Sequence, residues 1–201
     1  MGRNPQRNAE ARDRRREAIL EAARERFAAV GLRAARIGDI ARDAGISPGL
    51  VYHYFGSKEE IFTSLVREAF TRQNGAAQRL EGLALSPRDK LKMAVGGLLR
   101  NLETDPVAAG NQALLAMAAA RDDTPAEARQ VVAAESALAH AVIARILRAG
   151  QQDGSVRAHD ADQMATLFWS AIHGLALERA ARGDRFRAPA PETMLAMFME
   201  G

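Results

Sequence analysis

A capping side chain stands directly before a proline at four places in this chain, and this pairing constrains the fold more than any other feature. The pairs are Ser47-Pro48, Ser86-Pro87, Asp105-Pro106 and Thr124-Pro125. A Ser, Thr or Asp at the N-cap accepts a hydrogen bond from the first helical turn, where a proline loses no hydrogen bond of its own. No stretch alternates apolar and polar residues over the length of a strand. The sequence therefore predicts an all-α protein.

Apolar residues at helical spacing between these start signals predict nine helices in two domains. Two places also have the spacing of a capping box, Ser57 with Glu60 and Thr124 with Glu127. Gly31 is expected to end the first helix. The predicted helices span residues 10–30, 37–44, 48–54, 58–81, 87–103, 106–121, 125–151, 160–182 and 191–200.

Composition excludes several classes of protein. The chain has 201 residues, of which 47% are hydrophobic, and it has no cysteine. It can therefore bury a core, and it cannot use a disulfide scaffold, a thiol nucleophile or a cysteine-ligated metal. The four histidines lack metal-ligand spacing, so we expect neither a metal site nor a cofactor. No apolar run approaches the ~18–20 residues that cross a bilayer, and no signal peptide is evident. We expect a cytoplasmic protein without a membrane partner.

Positive charge is concentrated in the first third of the chain. The net charge is +3, yet residues 1–58 hold 12 basic and 7 acidic side chains. Arginine is frequent in residues 1–15, which we interpret as a basic N-terminal arm. Such a distribution is typical of a polyanion partner for the N-terminal part of a protein.

The segment from Ile37 to Phe55 has the pattern of a helix-turn-helix. Two short helices are joined through Gly45, which permits the positive φ of a sharp turn, and Ala41 is small where the helices must cross closely. The inward positions hold apolar or aromatic side chains, namely Ile40, Ala44, Ile46, Val51 and Tyr54. A chance corner between two helices is the alternative interpretation. We assign residues 16–58 to a DNA-binding domain.

The second helix of such a motif lies in the major groove of DNA. Its predicted outward face holds Pro48, Gly49, Tyr52 and His53, and Ser47 caps it with backbone N–H groups free to face phosphate. Arg, Asn and Gln are absent from this face, so few base contacts and DNA shape would carry specificity. Lys58 opens the fourth helix, where a cation opposes the helix dipole. A phosphate contact would explain it, and a solvated lysine is the alternative.

Residues 16 to 65 resemble the TetR family of bacterial transcriptional regulators. The resemblance is carried by Ile19, Ala23, Phe27 and Gly31, then Asp39-Ile40-Ala41, then Ala44-Gly45-Ile46-Ser47, and then Val51-Tyr52-His53-Tyr54-Phe55 with Ser57-Lys58-Glu59. A weaker resemblance, to the family's connection before its dimer helix, runs from Gly150 to Asp160.

This resemblance implies an all-helical homodimer that binds a palindromic operator in double-stranded DNA, usually represses, and is usually released by a small-molecule effector. Tyr52 and Lys58 look like its phosphate-contacting pair. The sequence departs from the family at Ala35-Arg36, where many relatives have hydroxyl side chains. The cap of the second helix is therefore lost, and Arg36 could restore a phosphate contact through its charge. Leu50 stands where a threonine is frequent, which weakens direct base readout.

Residues 59–201 are predicted to form a ligand-binding and dimerisation domain. Its apolar helices suggest a cavity between them for a hydrophobic effector, although most of these residues must be ordinary core. The candidate ligand-binding residues are Leu98, Leu102, Met117, Leu138, Trp169 and His173.

The eighth helix is apolar over most of its circumference, which predicts burial on two sides. A second subunit is the simplest cover for the second side, with the chain's own helices as the alternative. The candidate dimer residues are Met164, Leu167, Ala171, Gly174, Leu175, Met194 and Phe198.

The sequence leaves three functions open. The first is a ligand-responsive dimeric repressor. The second is a DNA-binding regulator that is ligand-independent or activates. The third is a small-molecule carrier or an enzyme, against which the absence of phosphate-binding, nucleophile-elbow and zinc-protease motifs argues. We therefore expect no catalytic residues.

Overall fold

The computed structural model describes the backbone of residues 5–200 and the side chains of residues 9–200. Within this range the chain forms nine α-helices and one short 3₁₀-helix, as the sequence predicted. Part of the predicted arm, residues 1–4, lies outside the described residues. The α-helices are α1 (Pro5–Ala34), α2 (Ile37–Asp43), α3 (Pro48–Tyr54), α4 (Lys58–Glu81), α5 (Pro87–Thr104), α6 (Pro106–Ala120), α7 (Ala126–Gln152), α8 (Ala161–Arg182) and α9 (Pro191–Leu195).

Three of the four pairs of capping residue and proline start a helix as predicted. Ser47, Ser86 and Asp105 each accept a hydrogen bond from the first turn of α3, α5 and α6. The fourth prediction is wrong, because α7 begins one residue later and has no side-chain cap. The buried Thr124 hydroxyl instead donates to the carbonyl of Ala118 at 3.2 Å, which closes the turn between α6 and α7.

The start of α4 is capped at both of its predicted residues. Ser57 Oγ accepts from the backbone N–H of Glu60 at 3.1 Å. The Glu60 carboxylate reaches back to the N–H of Gly56 at 2.7 Å. Two N–H groups that lack a helical partner are thereby satisfied, which anchors the long helix directly after the helix-turn-helix.

The first helix differs from its prediction at both ends. It begins at Pro5, so the described part of the predicted arm is helical. Gly31 has φ 75 and ψ 166, and it breaks the helix into two pieces that continue to Ala34. A positive φ at this position favours glycine, which is why the expected stop is a kink.

The last helix is five residues long and ends at Leu195 instead of residue 200. Beyond it the chain extends along the connection between α7 and α8, where Val156 and Met199 form an isolated antiparallel bridge. The connection itself requires Gly150, because a Cβ there would stand 2.4 Å from Val156 Cγ2. The backbone pairing and the burial of Phe198 and Met199 stop the helix early.

The buried apolar residues form two cores that meet along the middle of the molecule. The first core joins α1, α2 and α3 to α4 and includes Phe27, Ile40 and Val51. The second joins α5, α7, α8 and α9 and includes Leu99 and Phe168. Helix α6 contributes to both, since its N-terminal half belongs to the second core and its C-terminal half to the first. It is therefore a direct mechanical link between the two ends of the molecule.

Helix α7 has the length and mean hydropathy of a membrane-crossing helix, and 39% of its most apolar window is buried in the chain. Charged residues, including Glu135 and Arg145, interrupt it, so it is not a continuous apolar run. Its buried side chains are shared between the two cores. Core helices of soluble proteins meet the same length and composition test.

Candidate nucleic-acid interface and ligand cavity

The two helices of the helix-turn-helix are held together by a buried pair and a sharp turn. Ile40 and Ala41 on α2 are fully buried behind α3. Gly45 has a φ of 68, which a β-carbon would strain, and the Ile46 N–H donates to the Ala41 carbonyl at 2.9 Å. Val51 is the buried anchor of α3. The orientation of α3 is therefore fixed by packing on one side of the helix only.

The opposite side of α3 faces solvent. Pro48, Gly49 and His53 are exposed, and Tyr52 keeps 57% of its surface exposed. The His53 ring meets the Tyr54 ring edge to face at a centroid distance of 5.5 Å, which supports the outward position of the imidazole. The predicted DNA-facing side chains of α3 thus share one exposed surface, together with the N-cap residue Ser47.

Arg36 and Lys58 lie at the edges of this surface and differ in their partners. Arg36 is exposed, and as the N-cap of α2 its side chain makes no capping bond. The Lys58 ammonium donates to the carbonyls of Arg33 and Ala35, both at 3.0 Å. Those carbonyls end α1, where a cation is favourable. Lys58 therefore has a structural role in joining α4 to α1, in addition to the predicted phosphate contact.

Exposed arginines continue the positive surface along α1. Arg12, Arg15 and Arg33 are exposed, and none of them pairs with a carboxylate of the described residues. By contrast, Arg26 is bonded to Asp43, and Arg42 to Asp39 at 2.8 Å, so both α2 carboxylates are neutralised. The pairing of both α2 carboxylates leaves Arg12, Arg15 and Arg33 as the unpaired cations named here.

A cavity of about 450 Å³ opens between α4, α5 and α6. Its floor is formed by Ile143 of α7 and Trp169 of α8, and Gln73 of α4 is buried in its wall. Exposed side chains form its rim, among them Arg72 and Arg79. Its size is within the usual range of small-molecule sites.

Three of the six predicted ligand-binding residues line this cavity, namely Leu98, Leu102 and Trp169. The other three do not line it. Met117 belongs to the first core, and Leu138 packs against the second core. His173 lies one turn beyond Trp169, with a ring-centroid distance of 6.0 Å, and is not a lining residue.

Of the seven buried side-chain atoms without a hydrogen-bond partner in the described residues, three belong to residues that line this cavity. Gln73 Oε1, Gln112 Oε1 and Trp169 Nε1 are buried, unpaired and belong to lining residues. Behind Trp169, burial and then the neighbouring His140 lower the pKa of His173 from 6.5 to about 4. Buried polar atoms are normally satisfied, so unpaired ones in a cavity wall indicate groups that a ligand would complete.

A buried arginine connects the cavity wall to the first helix. Arg24 of α1 is 3% exposed, and its Nε donates to Asn111 Oδ1 of α6 at 2.9 Å. Its Nη2 lies 3.8 Å from Glu68 Oε2, and neither atom has a hydrogen-bond partner. A Cβ on Gly110 would stand 3.1 Å from the Arg24 side chain, so glycine makes room for it. Asn111 also lines the cavity, which brings α1 within one hydrogen bond of it.

The predicted dimer residues divide between the chain's own core and its surface. Met164, Met194 and Phe198 are at most 4% exposed and belong to the second core of the same chain. The chain's own helices therefore cover that side of α8, which was the alternative. Leu167 is 55% exposed and Gly174 is exposed, while Ala171 and Leu175 are partly buried. These four define what remains of the predicted face.

Sequence reasoning missed the polar lining of the cavity. Gln73, Asn111 and Gln112 stand on apolar helices, and their types alone do not distinguish a cavity wall from a solvated face. The nearest signal was polar residues that interrupt an otherwise apolar helix, as Asn111-Gln112 do in α6. Within the described residues no group of three or more His, Cys, Asp or Glu is arranged to hold a metal ion.

Family models match both parts of the chain. Residues 19–65 match the model of bacterial regulatory proteins of the tetR family, and residues 87–189 match that of the tetracyclin repressor-like C-terminal domain. The second match alone spans more than half of the chain. The first covers the helix-turn-helix, and the second covers α5 to α8 with part of the cavity.

Individual relatives agree with this assignment over different lengths. The transcriptional repressor KstR2 of Mycolicibacterium smegmatis is 39% identical over 77 residues, which cover 38% of each chain. The chain thus matches well under half of that repressor's length. A Bacillus subtilis regulator, FadR, solved with stearoyl-CoA, superposes with a TM-score of 0.68 at 21% identity, covering 90% of this chain and 96% of that one.

A regulator from Saccharomonospora viridis, solved with choline, superposes with a TM-score of 0.67 at 25% identity and covers 92% of this chain and 98% of that one. The two structures thus share a fold and hold chemically unlike ligands. Both family models describe regulators, and the exposed α3 is where a helix-turn-helix contacts DNA. The chain belongs to the TetR family, and it is a DNA-binding transcriptional regulator and not an enzyme.

Proposed function

We propose that the protein is a homodimeric repressor that binds a palindromic operator through α3 and is released by a small molecule in the cavity. The observation that carries the proposal is the exposed face of α3, from Ser47 to His53, on a rigid buried support. We expect the protein in the bacterial cytoplasm, where the chromosome lies. The domain limits follow the same division: residues 16–58 contact DNA, and residues 59–201 bind the ligand and form the dimer.

The α3 face suits DNA because it combines groove-sized shape with hydrogen-bonding groups. Tyr52 and His53 donate to phosphate or base edges, and Pro48 and Gly49 allow close approach of the backbone. Arg36 and the exposed arginines of α1 supply phosphate neutralisation, which gives affinity and a steep dependence on salt. Lys58 contributes to the same phosphate contacts while it holds the end of α1.

The dimer proposal uses a strip of α8 at helical spacing, in which Leu167, Gly174 and Leu177 are exposed and Ala171 is partly buried. An adjoining strip of α7 is rich in exposed alanine, including Ala133 and Ala137. Small residues on both strips let helices of a second copy approach closely, as in a twofold helical bundle. Two copies then present two α3 helices to successive turns of one DNA face.

The dimer is tested by a charge in the middle of the α8 strip. Leu167→Glu should convert the dimer to a monomer in sedimentation velocity and weaken operator binding, because each monomer contacts only one half-site. Leu85→Glu is the matched control, since Leu85 is also exposed at 40% but lies in the loop before α5. Equal masses for the two variants and the wild type would contradict this interface.

The effector proposal uses the cavity and its link to α1. A ligand that binds one arrangement of α4 and α6 better than another shifts the population between them. The Arg24–Asn111 hydrogen bond transmits that shift, because Asn111 lines the cavity and Arg24 belongs to the helix that supports α2 and α3. The cavity supports this ligand-responsive form over the ligand-independent regulator.

Selection from a random duplex library tests the DNA function for an operator of any sequence. The expected product is an inverted repeat whose half-sites are about one helical turn, ~34–36 Å, apart, with affinity that falls steeply as salt rises. Footprinting of the selected duplex should protect the major groove of both half-sites. Failure to enrich any sequence, or protection of a single half-site by the dimer, would contradict the proposal.

A further inference from the structure

The floor and the rim of the cavity differ in chemistry, and this difference indicates which chemical group a ligand carries at each end. The floor carries polar atoms that nothing in the chain satisfies. Trp169 is 4% exposed and its Nε1 has no acceptor. Gln73 is 7% exposed and its carboxamide oxygen has no donor, and the Gln112 oxygen is likewise unpaired. These residues line the cavity from α8, α4 and α6, and their unpaired polar atoms lie just beneath its surface, screened from solvent.

The middle of the cavity is apolar. Ala77, Leu98 and Leu102 are among its lining residues, and all of them are buried or partly buried. A ligand that filled this part with polar atoms would lose their hydration without replacement. The part of the ligand between floor and rim is therefore a hydrocarbon.

The rim is cationic. Arg72 and Arg79 project from α4 into the opening, and among the described residues neither forms an ion pair. Asp105 is the one carboxylate of the lining, and its Oδ1 already accepts from the N–H groups of Val107 and Ala108 as the cap of α6. Guanidinium groups bind carboxylates with paired hydrogen bonds, so the rim favours an anion.

A quaternary ammonium ligand fits this cavity poorly. Such cations are held over the faces of several aromatic rings. Trp169 is the single aromatic residue of the described lining, and two arginines would repel the charge at the opening. The cavity therefore differs in chemistry from a site for choline.

We propose that the cavity binds an anionic amphiphile whose carboxylate lies between Arg72 and Arg79, and whose hydrocarbon ends in a hydroxyl or carbonyl oxygen at the floor. Small side-chain rotations at the floor then let Trp169 Nε1 donate to that oxygen and let the carboxamides of Gln73 and Gln112 accept from, or donate to, the same group, because all three atoms lie just beneath the surface of the empty cavity. The role of this ligand as the effector rests on the proposed function. The binding site is inferred from the lining residues alone.

A matched series of ligands tests each end of the site by calorimetry on the full-length protein. The series is laurate, ω-hydroxylaurate, lauryl alcohol and dodecyltrimethylammonium, each below its micelle concentration, with the decyl homologues as a second length. We expect ω-hydroxylaurate to bind about tenfold more tightly than laurate, laurate about tenfold more tightly than the alcohol, and the ammonium most weakly, since one well-made polar contact contributes about that factor.

Variants identify which residues contact each end of the ligand. Arg72→Gln combined with Arg79→Gln should remove the advantage of laurate over lauryl alcohol and leave the alcohol's affinity unchanged. Trp169→Phe should remove the advantage of ω-hydroxylaurate over laurate, because the ring remains while the donor is lost. Arg88→Gln is the control, since Arg88 is exposed on α5 and does not line the cavity.

Several results would overturn the proposal. They are ammonium binding as tight as that of laurate, no preference for the hydroxylated chain, an unchanged ranking in the arginine double variant, and no binding by any member of the series. Operator binding is measured separately on the same preparation. A protein that binds its selected duplex but none of these amphiphiles would disprove the ligand class and leave the DNA function standing. A protein that binds these amphiphiles but no duplex would disprove the DNA function and leave the ligand class standing.

Discussion

The N-terminal and C-terminal parts of the molecule differ in how many polar side chains they bury. Among the described residues up to Lys58, Arg24 is the one buried polar side chain, and its Nη2 has no hydrogen-bond partner. All such atoms of the described residues lie in the junction formed by Arg24 and Glu68 or in the C-terminal part, including Gln73, Gln112 and Trp169. Unpaired buried polar atoms cost stability, and proteins retain them where another molecule completes them.

This difference distinguishes the helix-turn-helix, which presents a fixed surface, from the cavity region, which is suited to hold another molecule. The helix-turn-helix is complete by itself, with caps on α3 and α4 and a filled core, so it can present one fixed surface to DNA. In the proposed function a ligand completes the cavity region, whose lining residues keep buried polar atoms without a partner. The hydrogen bond between Arg24 and Asn111 joins the two parts.

The largest expected contrast is between equal truncations in the two parts. Leu20 is fully buried in the first core, whereas Leu98 lines the open cavity. Leu20→Ala should lower the free energy of unfolding by about 3 kcal/mol or more, and Leu98→Ala by about 1 kcal/mol, because only the first creates a new void. Urea unfolding at one protein concentration measures both. Equal losses would show that the cavity region is packed as tightly as the N-terminal core.

Acid should weaken the C-terminal part through His173. Its pKa is about 4 in the folded protein because of burial and of His140, against 6.5 ordinarily, so the unfolded state binds the proton first as pH falls. The stability from its neutral form is complete above 6.5 and decreases down to about 4. Between about pH 7 and about pH 5 this site should cost roughly 2 kcal/mol.

The matched variant for this pH effect is His173→Gln. It should remove that part of the pH dependence from the urea-unfolding free energy, while His159→Gln, a change at an exposed histidine, should not. An identical pH profile for His173→Gln and the wild type would mean that His173 is not held neutral.

Removal of an unpaired polar group should stabilise the empty protein. Gln73→Leu keeps a similar volume and should raise the free energy of unfolding by about 1 kcal/mol, since the desolvated carboxamide has one unsatisfied oxygen. Gln78→Leu, at an exposed position of the same helix, should change it by less than about 0.5 kcal/mol. A loss of stability in Gln73→Leu would show that the carboxamide is already satisfied without a ligand.

The caps of the N-terminal part give the smallest expected effect. Ser57→Ala removes the acceptor for the Glu60 N–H and should cost about 1 kcal/mol. Thr71→Ala, in the exposed interior of α4, should be close to neutral because its hydroxyl bonds only to the carbonyl one turn earlier. A difference near zero between them would mean that α4 does not depend on its cap for its start.

The sequence predicted correctly those features that depend on interactions between residues close together in the chain. Helix starts at Ser47, Ser57, Ser86 and Asp105 depend on neighbours within four residues, and all are confirmed. Thr124 looks the same locally, yet its hydroxyl bonds six residues back, because the chain reverses there.

Predictions that depended on tertiary packing were less complete. The apolar circumference of α8 predicted burial on two sides, and it could not show that the same chain supplies the cover for Met164. The sequence shows a cation, Lys58, at the start of α4, but the carbonyls that accept from it belong to the end of α1. The cavity wall joins residues from five helices, and no local pattern brings them together.

The most direct test of the account is the affinity of the selected operator for variants of the exposed α3 face. Tyr52→Ala and His53→Ala should each weaken binding by roughly 5- to 150-fold, the effect of ~1–3 kcal/mol per contact, with unchanged unfolding curves. His159→Ala, which removes an exposed imidazole far along the chain, should bind as the wild type does. Wild-type affinity in both α3 variants would contradict the claim that this face binds DNA.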